Sequence, residues 1–302
     1  AGLLADERLR GAAGVWVEVS PKGWASRGSV LVYAACAGSA SLVVVDGSDP
    51  GAMAVVGAVA EESQLAGARA VAVRGGYAFV AAETHSRLVS VDVRDPSSPR
   101  LVSLVQLSSA LGVSLGPGQL VYVAGGSNRR VTAVAATPGG QLSKAGSVKD
   151  SRLEGCSSVA AAGRDGEHVV AAASADGGTL AVVNATAPAA PRILAALKAA
   201  GRITDEEKGW SPIGQKSLAG ARGVAVRGQY AYVAAERGSA EGGGATQAGA
   251  LAAVDLSDPA KPTVRGELWG DDALEGVSRV AAPAGSDLVL ALAPGAGGLG
   301  VG

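Results

Sequence analysis

Six times along this chain a leucine is followed six residues later by a valine: Leu9/Val15, Leu65/Val71, Leu107/Val113, Leu153/Val159, Leu218/Val224 and Leu274/Val280. A motif returning at a roughly constant period marks a repeat architecture, in which each copy buries its apolar surface against its neighbours. The residues between agree in most copies: Leu-Arg-Gly at 9–11, Leu-Ala-Gly at 65–67 and 218–220, Leu-Glu-Gly at 153–155 and 274–276. A length of 302 residues would by itself suggest about two domains. Repeat units that share one closed structure predict a single domain over 1–302 instead.

Aligned on the valine, each copy shows four short segments rich in β-branched residues and separated by turn residues, the pattern of four antiparallel strands, here A to D. In the fifth copy these are 223–227, 230–235, 251–255 and about 263–269. In the second they are 70–74, 77–82, 88–92 and 100–107. Between C and D stands a recurring turn, Asp49-Pro50, Asp95-Pro96, Ala187-Pro188 and Asp258-Pro259, where proline presets φ and aspartate can bond the backbone that follows. Only 3% of the residues are aromatic, and alanine, valine and glycine do most of the filling, which suits closely layered strands with short turns. Four strands in a unit of about 40 to 50 residues make the blade of a β-propeller.

Strand C reads Leu42-Val-Val-Val-Asp46, Leu88-Val-Ser-Val-Asp92, Leu180-Ala-Val-Val-Asn184 and Leu251-Ala-Ala-Val-Asp255. With the Asp-Pro turn, and with Gly-Gly-Tyr-Ala-Phe-Val-Ala at 75–81 and Gly-Gln-Tyr-Ala-Tyr-Val-Ala at 228–234 as strand B, this resembles the LVIVD repeat family. The third copy departs from the pattern: Val131-Thr-Ala-Val-Ala135 lacks the final aspartate, and Thr137-Pro-Gly-Gly140 replaces the turn. The resemblance implies a propeller found mostly in surface or secreted proteins of prokaryotes, with no established general catalytic role. An extracellular or cell-surface location is expected from the resemblance alone.

The last copy supplies strands A to C, and the chain ends before D. Residues 1–11 align without gaps on 145–155, the D strand and D-to-A junction of the third copy. The expectation is therefore all-β: a six-bladed β-propeller of four-stranded antiparallel blades, closed by an N-terminal strand D at residues 1–5 pairing with the last blade. The blades run approximately over 9–60, 65–107, 107–149, 153–198, 218–269 and 274–302 plus 1–5. Residue 1 is alanine, so the alternative is a piece cut from a longer array.

Strands alternate in direction, so D-to-A and B-to-C connections share one face of a blade. The conspicuous insertions at 198–217 and 237–249 fall there, and long loops on a rigid scaffold are where binding usually resides. The first carries Trp210, an aromatic candidate for ligand contact. Arg69 and Arg222 share one repeat position at the start of strand A, and Glu83 and Glu236 share another at the end of strand B. Each arginine should sit near the glutamate of its own blade, either as an intrablade salt bridge or as part of a charged ring with Arg10, Glu154, Glu275 and Arg279. His85 lies two residues past Glu83. These six residues, Arg69, Glu83, His85, Trp210, Arg222 and Glu236, are the candidate binding set. No metal site is expected, since a metal needs three or four converging ligands. The Asp-x-x-Asp spacing of the strand C acids reads as turn capping rather than calcium binding.

Catalytic motifs are scarce. There is no Gly-x-Ser-x-Gly elbow, no His-Glu-x-x-His and no phosphate loop, so no catalytic residue is assigned and no cofactor is expected. The 26 basic and 27 acidic residues leave no electrostatic footprint for nucleic acid. No segment is long and apolar enough to insert in a bilayer. Cys36 and Cys156 occupy different parts of the unit and are expected as buried free thiols. Two readings stay open. One is a non-catalytic, monomeric binding or scaffold module recognising a protein or glycan. The other is a glycoside or ester hydrolase using Glu83, Glu154, Glu236 and Glu275.

Overall fold

The computed structural model describes residues 4–19, 29–164, 166–199, 218–236, 249–270, 274–283, 288–293 and 298–301. Residues 1–3 of the expected N-terminal strand, Trp210 and nearly all of the two insertions lie outside the described residues.

Five four-stranded sheets follow one another, each with its strands hydrogen-bonded in sequence order. The first comprises β1 (Ala12–Val19), β2 (Val30–Cys36), β3 (Ser41–Asp46) and β4 (Ala54–Ala60). After a single helical turn, α1 (Glu62–Leu65), come β5 (Ala68–Arg74), β6 (Tyr77–Ala82), β7 (Arg87–Asp92) and β8 (Arg100–Gln106). The third sheet is β9 (Gly112–Leu115), β10 (Leu120–Ala124), β11 (Arg130–Ala136) and β12 (Leu142–Lys149). The fourth is β13 (Cys156–Arg164), β14 (Glu167–Ser174), β15 (Thr179–Asn184) and β16 (Arg192–Lys198). The fifth is β17 (Ala221–Arg227), β18 (Tyr230–Ala235), β19 (Gly249–Asp255) and β20 (Thr263–Gly270). A small last sheet holds β21 (Arg279–Ala281), β22 (Leu290–Ala293) and β23 (Gly298–Val301).

The chain divides into two compact units. One comprises 1–123 with 134–145, the other 124–133 with 146–302. In the first unit, Leu31, Tyr33, Leu42 and Val44 of the first blade pack on Val71, Val73, Val80 and Val91 of the second. Tyr77, Phe79 and Leu88 on the second blade's other side meet Val121, Val123 and Val134. In the second unit, Val169, Ala171 and Val182 of the fourth blade meet Val224, Val233 and Val254 of the fifth. Middle strands are thus covered on both faces, which is why β6 reads Tyr-Ala-Phe-Val-Ala-Ala with every residue buried instead of alternating.

The six-blade expectation is corrected. Among the described residues five complete blades form, and the sixth copy yields the small sheet β21–β23. Leu4 and Ala5 are not in a strand. Leu4 instead packs with Leu9 against Ala34, Cys36, Val43 and Val45 on the outer side of the first blade. The alignment of 1–11 on 145–155 nevertheless has structural content at the junction. Asp6 caps the turn Glu7–Leu9 by accepting from Arg8 N at 2.9 Å, and Asp150 caps Ser151–Leu153 by accepting from Arg152 N at 2.9 Å. On the same outer side Val15, Val17 and Val19 are 58–65% exposed among the described residues. The counterparts of Val15 in the second and fifth blades, Val71 and Val224, are 5% and 6% exposed, because each packs against the blade before it within its own unit.

Candidate functional site

The repeat motif is a structural joint. Leu65, Leu153 and Leu218 are fully buried at the D-to-A junctions, and the glycine two residues on takes a left-handed φ of about 70° (Gly67 +70°, Gly155 +68°, Gly220 +71°). A side chain at Gly67 would also stand 2.5 Å from Thr84 Oγ1, so the position excludes Cβ on two grounds. The freed carbonyl accepts from the residue just past strand B. Glu83 N donates to Gly67 O at 3.0 Å, Ala175 N to Gly155 O at 3.2 Å and Glu236 N to Gly220 O at 3.2 Å.

Just after the junction, strand A carries a bulge in the first, second, fourth and fifth blades. Ala68 faces Ala82 and Ala70 faces Ala81, leaving Arg69 as the extra residue. Ala221 faces Ala235 and Gly223 faces Ala234, leaving Arg222. Ala13 and Ser157 hold the same place in the first and fourth blades. A bulge redirects the side chain of its extra residue, and the glycine carbonyl has already docked the glutamate beside it. In the first unit Arg69 Nε lies 2.9 Å from Glu83 Oε2, and in the second Arg222 Nε contacts Glu236 Oε2. Side-chain exposure is 48% and 44% in the first pair and 53% and 33% in the second. Pairs this open to water contribute about 0–1 kcal/mol, so they hold orientation more than they hold the fold.

The remaining candidates separate. His85 is half-buried in the turn after β6, where its backbone carbonyl accepts from Gln106 Nε2 at 2.8 Å. Among the described residues no group of three or more His, Cys, Asp or Glu side chains could hold a metal. Glu154 pairs with Arg129 at 2.7 Å, an ion pair between the B-to-C turn of the third blade and the junction of the fourth that the repeat alignment did not expose. Arg10 donates from Nε to Gly38 O at 2.9 Å. Glu275 is exposed on the junction before β21. Cys36 and Cys156 are free and buried, and burial pushes the Cys156 thiol up to about 12.

On the opposite face the strand C acids cap turns. Asp46, Asp92, Asn184 and Asp255 each accept through Oδ1 from the backbone N–H two residues on, at 2.8–3.0 Å. Asp49, Asp95 and Asp258 do the same. Hydrogen bonds to Ser48 hold the Asp46 carboxyl below its ordinary value, those to Ser97 do so for Asp95, and the Arg8 side chain brings Asp6 down to about 2. A depressed carboxyl stabilises the fold above its unfolded pKa of about 3.9, and the contribution fades as pH falls through the lower folded value. Thermal stability should therefore be flat from about pH 7 to 5 and decline below about pH 4. Asn184 shows that the amide serves as the cap, so Asp46→Asn should keep the neutral-pH melting temperature and soften the acid decline. Asp46→Ala should lower it by about 2–4 °C at pH 7; calorimetry across pH checks both.

The LVIVD repeat family model matches residues 32–61, 67–106, 220–239 and 245–268, in the first, second and fifth blades. The chain carries LVIVD repeats. They sit in a β-propeller arrangement, and the fourth blade, which the family model does not match, forms the same four-stranded sheet with Asn184 and Ala187 where the matched copies have aspartates. No curated protein matches the sequence. Among solved structures, a protein from Lactobacillus plantarum is 13% identical with a TM-score of 0.70, over 99% of this chain and 82% of that one. Kuenenia stuttgartiensis hydrazine synthase is 15% identical with a TM-score of 0.63, over 96% and 76%. A putative 6-phosphogluconolactonase from Bacteroides uniformis is 12% identical with a TM-score of 0.65, over 90% and 77%. At these identities the likeness is one of fold, and fold hosts many functions.

Proposed function

We propose that this LVIVD-repeat propeller is a non-catalytic recognition module of a cell-surface or secreted protein. It binds a protein or glycan through a blade end that carries a bulge arginine and its glutamate, Arg69 with Glu83 in the first unit or Arg222 with Glu236 in the second, the latter on the blade whose strands the 198–217 and 237–249 connections join. The observation that carries this reading is that Arg69 and Arg222 occupy bulge positions at the ends of buried strands and remain about half exposed. A rigid strand end that presents a guanidinium and a carboxylate side by side offers donors and acceptors to a polar ligand without further ordering. Glu83 and Glu236 are each paired with an arginine. The location rests on the family resemblance.

The competing reading is ester hydrolysis, which the fold-level likeness to the putative lactonase brings forward. The experiment is a glycan array and a panel of protein ligands probed with the purified chain, alongside turnover assays on 6-phosphogluconolactone and p-nitrophenyl acetate. Binding that falls at least tenfold in Arg69→Ala or Arg222→Ala, with no turnover above buffer, is the expected result. Turnover that disappears in Glu83→Gln or Glu236→Gln sinks it. Because the ion pairs are open to water, these Gln variants should lose less than about 1 kcal/mol of stability, so lost turnover would not reflect unfolding.

A further inference from the structure

The last residue of strand A in the second blade is Arg74, three past the repeat valine. Its side chain crosses to the third blade, where the guanidinium donates to the carbonyls of Gly116 at 2.5 Å, Leu120 at 3.4 Å and Gly118, around that blade's A-to-B turn. No carboxylate is among these acceptors; backbone carbonyls alone receive the cation. The stem lies between the blades, in keeping with the habit of long cationic side chains of burying methylenes and presenting the head to polar groups.

Strand pairing identifies the same position in the fourth blade. Arg74 faces Tyr77 at the end of its hairpin, and Ala162 faces Val169 at the corresponding place. Ala162 has nothing beyond Cβ to send toward the fifth blade. Where an arginine would lie there is a cleft of about 170 Å³, walled by Val169, Val226 and Leu256, with the A-to-B turn Gly228-Gln229 and the Glu167 side at its rim. Cavities of roughly 150 Å³ accept a six-carbon ring, so the space suits an alkyl guanidinium. The fifth blade's turn corresponds to the one that receives Arg74, and Gln229 O already accepts from Leu256 N at 2.7 Å, leaving its second lone pair. Glu167 adds a carboxylate that the Arg74 slot lacks.

We propose that this cleft binds the guanidinium of an arginine supplied from outside the chain. The apolar walls take the methylene stem, the turn carbonyls accept the N–H groups, and Glu167 supplies the counter-charge. The slot lies on the face of A-to-B and C-to-D turns, so the proposal is independent of the recognition face described above.

The test titrates the full chain with Nα-acetyl-arginine methylamide, free L-arginine and the neutral isostere citrulline, followed by calorimetry and NMR. A single side chain in a small site should bind with a Kd of about 1 mM. Citrulline should bind at least tenfold more weakly than the better arginine compound. Ala162→Arg should fill the slot from within and abolish binding. Glu167→Gln, at an exposed position that leaves folding unaffected, should weaken binding about fivefold. Tighter binding of the methylamide assigns the slot to arginine within a peptide, and equal or tighter binding of free arginine assigns it to the amino acid. Absence of saturation by both compounds at about 20 mM overturns the proposal. So does undiminished binding in both Ala162→Arg and Glu167→Gln.

Discussion

Leu65→Ala is expected to destabilise the protein by about 2–5 kcal/mol, the range for emptying a sealed core position. Leu65 is fully buried and packs with Leu42, Val44, Val80 and Val89, where two blades meet their junction. Leu218→Ala should cost about the same in the second unit, since that leucine is equally buried among Leu180, Val182 and Val233. The repeat itself supplies the control. Leu9 holds the same place in the motif yet is partly exposed, packed on the outer side of the first blade, so Leu9→Ala should cost less than about 1.5 kcal/mol. Urea denaturation followed by circular dichroism measures all three. Equal losses at Leu9 and Leu65 would mean that burial does not set the cost. Where calorimetry separates two transitions, Leu65→Ala should move one and Leu218→Ala the other, because each lies within a different compact unit.

The valines make the same point about what a sequence can disclose. Strand B was legible at 77–82 and 230–235 because glycine turns bound a run of aromatic and β-branched residues, and the strands form at those residues. Val15 and Val71 are equivalent in the motif, yet one is 60% exposed and the other 5%. Periodicity reports that a residue belongs to an inter-blade face, and says nothing about whether that face is covered. The sixth blade failed for a related reason. Residues 6–11 carry the capping chemistry of a D-to-A junction, Asp6 with Arg8 as Asp150 with Arg152, and the likeness ends at that joint, since residues 4 and 5 form no strand. In the site, the Arg69 and Arg222 pairings follow from which strand ends meet. The bulge does not, since one unpaired residue among alanines leaves too short a break in alternation to read. Ala162 carried no signal, because its interest lies in what the second blade does at the same place.

Gly57→Ala should be the more costly of the small substitutions, at about 2–3 kcal/mol, the range for overpacking a buried position. Gly57 lies in the outer strand of the first blade, one residue past that strand's own bulge, where the Asp-Pro turn of the second blade presses in. A Cβ there would stand 2.1 Å from Pro96 O. The obstacle is backbone, and the turn that holds it is fixed by proline and by the Asp95 cap, so relief requires the blades to part. Gly146 repeats the arrangement in the second unit, with Pro188 O 2.3 Å from the same imagined atom. The chain also shows what a yielding site looks like. Gly266 holds the corresponding register in the fifth blade, and a Cβ there would have nothing within 4 Å among the described residues, so Gly266→Ala should change stability by less than about 1 kcal/mol. In the second blade the residue at this register is Ser103, whose Oγ accepts from Leu142 N at 3.1 Å, so there the neighbouring strand leaves room for a side chain and uses it. Melting temperatures of Gly57→Ala and Gly266→Ala, measured side by side, decide the matter. A loss at Gly57 no larger than at Gly266 would mean that the turn gives way freely and that the close approach between blades is not a constraint on the fold.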